Sequence, residues 1–158
     1  MKTIFLSVTV MVLTISLFAQ NKNEGIVKKM KAKETITALV INDDVQVVLM
    51  NENGTEIFIE GQSAAVEKVT LTEKDGELTI GSTAFFTRPV VVCVPANFVS
   101  HIEINGDSKL ISYQMLPVSK LDVIINGYCD LFIKTTGKVN IVALQDYSFT
   151  SKTTPVKS

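Results

Sequence analysis

Residues 102–106 read IEING, and residues 123–127 read VIING. A leucine follows each copy, at Leu110 and Leu131. The two leucines are 21 positions apart, and the same distance separates Ile104 from Ile125. This spacing is too long for a tight hairpin and too short for a strand–helix–strand unit, which needs roughly 30 residues. It is typical of one turn of a β-solenoid, in which each turn lays short strands on the turn before it. The spacing therefore predicts that the two segments lie one above the other.

The Asn-Gly pairs of this repeat define its predicted corners. Asn105 and Gly106 fall at the same point of the repeat as Asn126 and Gly127. Glycine adopts the left-handed backbone that a sharp corner favours, so both glycines are expected to have positive φ. Stacked asparagine side chains can also hydrogen-bond to one another along a ladder. These four residues are predicted structural corners.

A third and less regular turn is predicted after the second one. It spans residues 139–144, with Leu144 in place of Ile125 at an offset of 19 and Phe149 on the following strand. Terminal repeats are often irregular because they end the stack. The last turn would leave an unpaired edge through which a second copy of the chain could associate.

The segment before the repeat reads as short alternating strands separated by turn residues. Asn53-Gly54 and Asp75-Gly76 each lie between two apolar runs, and such pairs are strong hairpin signals because both central residues take positive φ. Residues 61–66 are small enough to form one helical turn. The predicted fold class is all-β: a short right-handed parallel β-helix, or β-solenoid, with a β-hairpin-rich N-terminal portion.

The N-terminus has the pattern of a secretory signal peptide. Lys2 precedes an apolar run from Thr3 to Phe18, and Ala19 offers a small residue at a cleavage point. An uncleaved anchor is the alternative, although the run is shorter than the ~20 residues of a spanning helix. The predicted organisation is a signal peptide at 1–19, a polar lead at 20–34, one solenoid domain at 35–150 and a tail at 151–158. The mature chain is expected in the periplasm or outside the cell, without a membrane span.

Charge and composition argue against several classes of function. The 158 residues carry 15 basic and 16 acidic side chains, for a formal charge of −1. Nucleic-acid binders show a clustered basic face, which is not evident here, so no nucleic-acid partner is predicted. With one histidine, His101, and two cysteines 36 positions apart, no metal site, cofactor or catalytic residue is predicted. Cys93 and Cys129 read as two small buried residues, with a disulfide as the alternative.

The order of these elements resembles a known family. A threonine-rich first strand, the polar corner before Val45, the hairpin at 74–80, a valine run ending at Pro95 and the Ile-Asn-Gly repeats are similar to the auto-transporter adhesin "head GIN domain" family of exported bacterial proteins. The resemblance covers roughly residues 35–150. It implies a right-handed parallel β-helix with a β-rich N-terminal portion and no catalytic residues. The corners here, which lack the Gly-Ser-Gly-Asp type sequence usual in the family, leave any ligand role of those corners open.

Three functions follow from these observations. The first is a non-catalytic, adhesin-like or scaffold module of the envelope or cell surface that binds a protein or a glycan. Its candidate binding residues lie beside the corners, where Tyr128 and Tyr147 are expected to stand one above the other near Asp107, Asp130 and Asp146. The second is a carbohydrate-active β-helix enzyme, for which Asp43 and Asp44 form an adjacent acidic pair. The third is a self-assembling envelope component.

Overall fold

Nearly all of the regular secondary structure in the described chain is β-strand, which the alternation of apolar and polar residues favours. The computed structural model describes residues 25–144 and 147–152. The strands in these ranges are β1 (Gly25–Lys31), β2 (Ala38–Ile41), β3 (Gln46–Met50), β4 (Glu56–Gln62), β5 (Val69–Lys74), β6 (Glu77–Ser82), β7 (Val91–Pro95), β8 (His101–Ile104), β9 (Ser108–Ile111), β10 (Lys120–Ile125), β11 (Cys129–Lys134), β12 (Lys138–Ala143) and β13 (Tyr147–Lys152). One short helix, α1 (Ser63–Val66), follows β4 where a helical turn was predicted.

The strands form two mixed sheets with an apolar core. One sheet has seven strands in the order β1-β4-β7-β3-β9-β11-β13, and the other has six in the order β12-β10-β8-β2-β6-β5. Neither sheet closes on itself, and the all-β class expected from the sequence is confirmed. No helix in the described ranges has the length and hydropathy needed to cross a membrane.

The two copies of the repeat lie on neighbouring parallel strands. Ile104 of β8 is the Cα partner of Ile125 of β10, and Leu110 of β9 is the partner of Leu131 of β11. All four side chains are at most 2% exposed. In both sheets, residues that are 21 positions apart in the sequence therefore lie side by side on adjacent strands. The third segment is offset from the second by 18 residues and not by the predicted 19, because Ile125 pairs with Ala143 rather than with Leu144.

A segment distant in the sequence, which was not predicted to join the repeat, occupies its other side. β2 pairs in parallel with β8, so that Ile41 lies beside Ile104, and β3 pairs in parallel with β9. Positions 41 and 104 differ by 63, which is three times 21. β6 and β7 then pair in parallel with β2 and β3 on the far side. The second and third strands of the chain thus lie inside their sheets, with β2 between β8 and β6 and β3 between β9 and β7.

One predicted hairpin forms and the other does not. β5 and β6 pair antiparallel around Asp75 (φ 51°) and Gly76 (φ 76°), as the Asp-Gly signal predicted. The hairpin predicted at Asn53-Gly54 is wrong, because β7 lies between β3 and β4. Asn53 and Gly54 also lack the positive φ that a two-residue turn requires. β7 pairs with both strands, in parallel with β3 and antiparallel with β4.

The edges of the seven-stranded sheet extend past the predicted boundaries. Residues 25–31, placed in the polar lead, form the exposed edge strand β1 antiparallel to β4. At the other edge β13 continues to Lys152, beyond the predicted domain end at residue 150. The proposed signal peptide and residues 153–158 of the tail lie outside the described residues.

The two cysteines are free thiols in separate parts of the sheet. Cys93 lies in β7 and Cys129 in β11, three strand positions apart, which corresponds to roughly 14 Å at about 4.8 Å per strand. A disulfide needs Cα atoms within about 7 Å, so this geometry excludes the bridge. Burial raises the pKa of the Cys129 thiol to about 11, and burial together with the charge of Glu60 raises the pKa of Cys93. Both thiols are protonated at neutral pH.

The corners need glycine because the neighbouring backbone leaves no room for a Cβ atom, and not because the backbone there has an unusual conformation. Neither Gly106 nor Gly127 has positive φ, so the expectation of a left-handed corner is wrong. A Cβ at position 106 would lie 2.8 Å from the Cα of Asp43, and one at position 127 would run into the carbonyl oxygen of Gly106. Each corner therefore rests directly on the backbone of the corner beside it.

Substitution of either corner glycine by alanine should destabilise the protein. We expect Gly106→Ala and Gly127→Ala each to lower the free energy of unfolding by about 1–3 kcal/mol, because the new methyl group would overlap the backbone of the neighbouring corner. Urea unfolding followed by circular dichroism measures the change. Gly54→Ala is the matched control, since its nearest neighbour would be the Glu56 nitrogen at an ordinary 3.8 Å. Equal stability of the three variants would contradict this account.

Candidate functional site

Asparagine side chains form a ladder along the stacked corners. Asn126 Nδ2 donates to Asn105 Oδ1 at 2.7 Å, and Asn105 Nδ2 donates to Asn42 Oδ1 at 2.9 Å. The predicted bond between Asn105 and Asn126 is confirmed, and the third member comes from the corner after β2. Its sequence signal is the Ile-Asn pair at 41–42, which repeats the pair at 104–105.

Carboxylates form a second column beside the asparagines. Asp44 Oδ1 accepts a hydrogen bond from the backbone N–H of Asp107 at 3.2 Å, and Asp107 Oδ1 accepts one from the backbone N–H of Tyr128 at 3.3 Å. Asp43 Oδ2 accepts one from the backbone N–H of Ser82 at 2.6 Å. Each carboxylate thus satisfies a backbone donor of the neighbouring corner. The acidic pair singled out for an enzyme is engaged in holding corners together.

Tyr128 is held at both its backbone and its hydroxyl group. Its backbone N–H is bound by Asp107, and its phenol donates to Asp130 Oδ1 at 3.3 Å. Asp130 Oδ1 also accepts from the Ser148 hydroxyl at 2.7 Å, which fixes the carboxylate in turn. The charge of Asp130, and then burial, raises the pKa of the Tyr128 phenol. The ring is 48% exposed, so a restrained aromatic surface faces outward.

The second predicted tyrosine occupies a different place. Tyr147 is the Cα partner of Cys129, one residue beyond Tyr128, so the register contradicts a column of the two tyrosines. Asp146 lies outside the described residues. Of the candidate binding residues, the structure therefore brings together Tyr128, Asp107 and Asp130.

A cleft of about 370 Å³ opens beside Tyr128. Asp107 and Tyr128 contribute one side from the corners, and Gln46 and Lys109 contribute another from neighbouring strands. The loop between β6 and β7 supplies Phe86, which is half-buried against the core, and the exposed Arg88. Sequence reasoning missed Gln46, Phe86, Arg88 and Lys109, since they come from three separate segments and share no motif.

Metal binding has no support in the part of the chain that the structure covers. No group of three or more histidine, cysteine, aspartate or glutamate side chains in residues 25–144 and 147–152 could hold a metal ion. The cleft is lined by two aromatic rings, two cations, an amide and two carboxylates that already accept backbone hydrogen bonds. Such a set can bind a polar ligand with one apolar face.

Comparison with known proteins identifies a family and a fold. A family model described as "Putative auto-transporter adhesin, head GIN domain" matches residues 35–148. A "putative adhesin" from Parabacteroides merdae superposes with a TM-score of 0.61 at 17% identity, covering 76% of this chain and 52% of that one. Another from Bacteroides fragilis gives 0.59 at 15% identity, with coverages of 78% and 60%.

A "putative lipid binding protein" from Parabacteroides distasonis is also similar in fold, with a TM-score of 0.52 at 8% identity and coverages of 78% and 61%. The chain thus spans about half to three-fifths of the length of these solved structures. At such low identities the likeness is one of fold alone. No curated protein matches the sequence.

Removal of the Asp130 charge should change the titration of Tyr128. In Asp130→Asn we expect the pKa of the Tyr128 phenol to fall toward its ordinary value, because the negative charge that disfavours the phenolate is gone. A pH titration of ¹³C-labelled tyrosine by NMR measures the shift. Asp122→Asn, on a strand of the other sheet, is the control and should leave the Tyr128 curve unchanged. An unaltered curve in Asp130→Asn would show that the contact does not form in solution.

Proposed function

This chain belongs to the auto-transporter adhesin head GIN domain family, and on that basis we propose that it is an exported, non-catalytic binding module that acts in the periplasm or at the cell surface. The N-terminal pattern of Lys2 followed by an apolar run supports export. The adhesin-like names of proteins with a similar fold agree with this role.

The engagement of the acidic side chains supports a non-catalytic role. A glycoside hydrolase needs two carboxyl groups facing one substrate, one of them free to give or take a proton. Asp43, Asp44 and Asp107 instead each accept a hydrogen bond from a backbone N–H of another corner. Their oxygen atoms therefore contribute to the stability of the corners.

We further infer that the strand pairs are turns of a short right-handed β-solenoid. The inference is supported by β8, β10 and β12 running parallel in one sheet while β9, β11 and β13 run parallel in the other. A parallel connection that leaves a sheet and returns to it is right-handed in nearly all proteins. Each turn would then contact only its neighbours, as in other repeat proteins.

An insertion of one full turn tests the solenoid. Duplication of residues 105–125 after Ile125 adds one 21-residue turn, and we expect the variant to keep its β-sheet circular dichroism and cooperative urea unfolding. Insertion of residues 105–115 alone is the control, because it shifts the following strands out of register with the core. Loss of structure in both variants would count against independent turns.

We propose that the ligand is a glycan that packs on Tyr128. The observation that carries this proposal is the restraint of Tyr128, by Asp107 at its backbone N–H and by Asp130 at its hydroxyl group. A side chain that is already ordered loses little conformational entropy on binding, so more of the contact energy appears as affinity. Aromatic rings suit sugars because the apolar C–H face of a sugar can cover the ring while its hydroxyl groups remain hydrogen-bonded.

Glycan binding can be tested with single-residue variants. On an array of bacterial and host glycans, we expect Tyr128→Ala to weaken the glycan signal of the wild type by roughly tenfold or more, as for aromatic anchors of other interfaces. Tyr113→Ala is the matched control, because Tyr113 is also exposed (61%) and does not line the cleft. Tyr147→Ala, the other candidate from the sequence, should have the smaller effect because its register places it beside Cys129. Absence of any bound glycan on the wild-type array would refute the glycan ligand.

A further inference from the structure

Two positively charged side chains of the cleft have no partner in the described chain. Arg88 and Lys109 both line the cleft, and both are exposed. Neither side chain makes an ion pair or a hydrogen bond with any residue in 25–144 or 147–152. Ion pairs in these ranges do form elsewhere, at Lys29–Glu56 and Lys120–Asp122. The charged groups of Arg88 and Lys109 therefore form no direct ion pair in these ranges, although Lys109 lies beside Asp130 of the neighbouring strand.

The carboxylates of the cleft do not neutralise these cations through direct contact. Asp44 and Asp107 line the same cleft, but each uses one oxygen atom to accept a backbone N–H of the neighbouring corner. A carboxylate that is hydrogen-bonded to a backbone donor is held at the corner. An incoming anion would thus meet Arg88 on the loop and Lys109 on β9, where Lys109 lies between Gln46 of β3 and Asp130 of β11.

The remaining walls of the cleft are aromatic or neutral. Tyr128 presents its restrained ring, Phe86 is packed partly against the core, and the amide of Gln46 can both donate and accept. The volume of about 370 Å³ lies near the lower end of the range for small-molecule sites, roughly 300–1,000 Å³. This space suits a small ring with one flat apolar face and a polar edge.

We propose that the cleft binds an acidic sugar, with the carboxylate of a uronic acid on Arg88 and Lys109 and the sugar ring against Tyr128. The planar guanidinium of Arg88 matches a carboxylate by two parallel hydrogen bonds, and Lys109 adds a second positive charge. This inference rests on the proposed glycan-binding function and names the class of glycan. It involves no covalent step.

The test compares three soluble probes by isothermal titration calorimetry. Oligogalacturonate carries carboxylates, maltohexaose is neutral and dextran sulfate is anionic without carboxylates. We expect the wild type to bind oligogalacturonate in preference to the other two, with an affinity that falls as salt is raised. Arg88→Gln and Lys109→Gln should each weaken this binding, Arg88→Gln by about tenfold or more because a bidentate charged contact is lost.

Control variants separate the charge of the cleft from other effects. Lys74→Gln removes an exposed lysine at the hairpin of β5 and β6, away from the cleft, and should bind as the wild type does. Circular dichroism of Arg88→Gln checks that the fold is retained, as expected for an exposed side chain.

Each contrary result has a distinct meaning. Equal binding of maltohexaose and oligogalacturonate, lost in Tyr128→Ala but kept in Arg88→Gln, would overturn the acidic-sugar inference and leave the proposed glycan-binding function standing. Dextran sulfate bound as tightly as oligogalacturonate would overturn recognition of a carboxylate in favour of any anion. Failure of all three probes, together with a glycan array on which the wild type binds nothing, would overturn both proposals.

Discussion

The backbones of successive corners are in direct contact, and this contact sets the alignment of the strands in both sheets. Parallel strands in adjacent positions are about 4.8 Å apart, so the turns that follow them must also stack at that distance. At Gly106 and Gly127 the space is too small for a Cβ atom. Residues with side chains at these two positions would separate the corners and, with them, the strands of both sheets.

The polar side chains at the corners follow from this close stacking. Backbone N–H groups at a turn lack strand partners, and the carboxylates of Asp44 and Asp107 accept from them. The asparagines hydrogen-bond to one another one layer apart. Inside the stack, Ile41, Ile104 and Ile125 lie in register and are fully buried, and burial of each such side chain contributes about 1.5–3 kcal/mol. Polar corners and an apolar interior thus stabilise the same alignment.

The stacking of the corners also brings the residues of the candidate site together. Asp107 orients Tyr128 because the two residues occupy equivalent places in adjacent corners, and Asp130 reaches the phenol from the next strand. The loop between β6 and β7 then covers one side with Phe86 and Arg88. Because β6 and β7 lie beside β2 and β3, this loop comes to face the corner of the repeat, although Arg88 precedes Tyr128 by 40 positions.

Sequence alone determined the local rules: strands from alternation, the hairpin at Asp75-Gly76 from its turn residues, and the adjacency of Ile104 and Ile125 from their spacing. It also indicated Tyr128, Asp107 and Asp130, because Asp107 and Tyr128 occupy equivalent places in the two copies of the corner and Asp130 lies at the start of the strand after the second copy. Only the tertiary structure shows that β2 and β3 lie beside the repeat and that β7 separates β3 from β4. It also shows that Arg88, Lys109 and Gln46 line one cleft. The physical reason is that spacing and turn chemistry act between near neighbours, whereas the order of strands in a sheet depends on which distant edges bury the most apolar surface together.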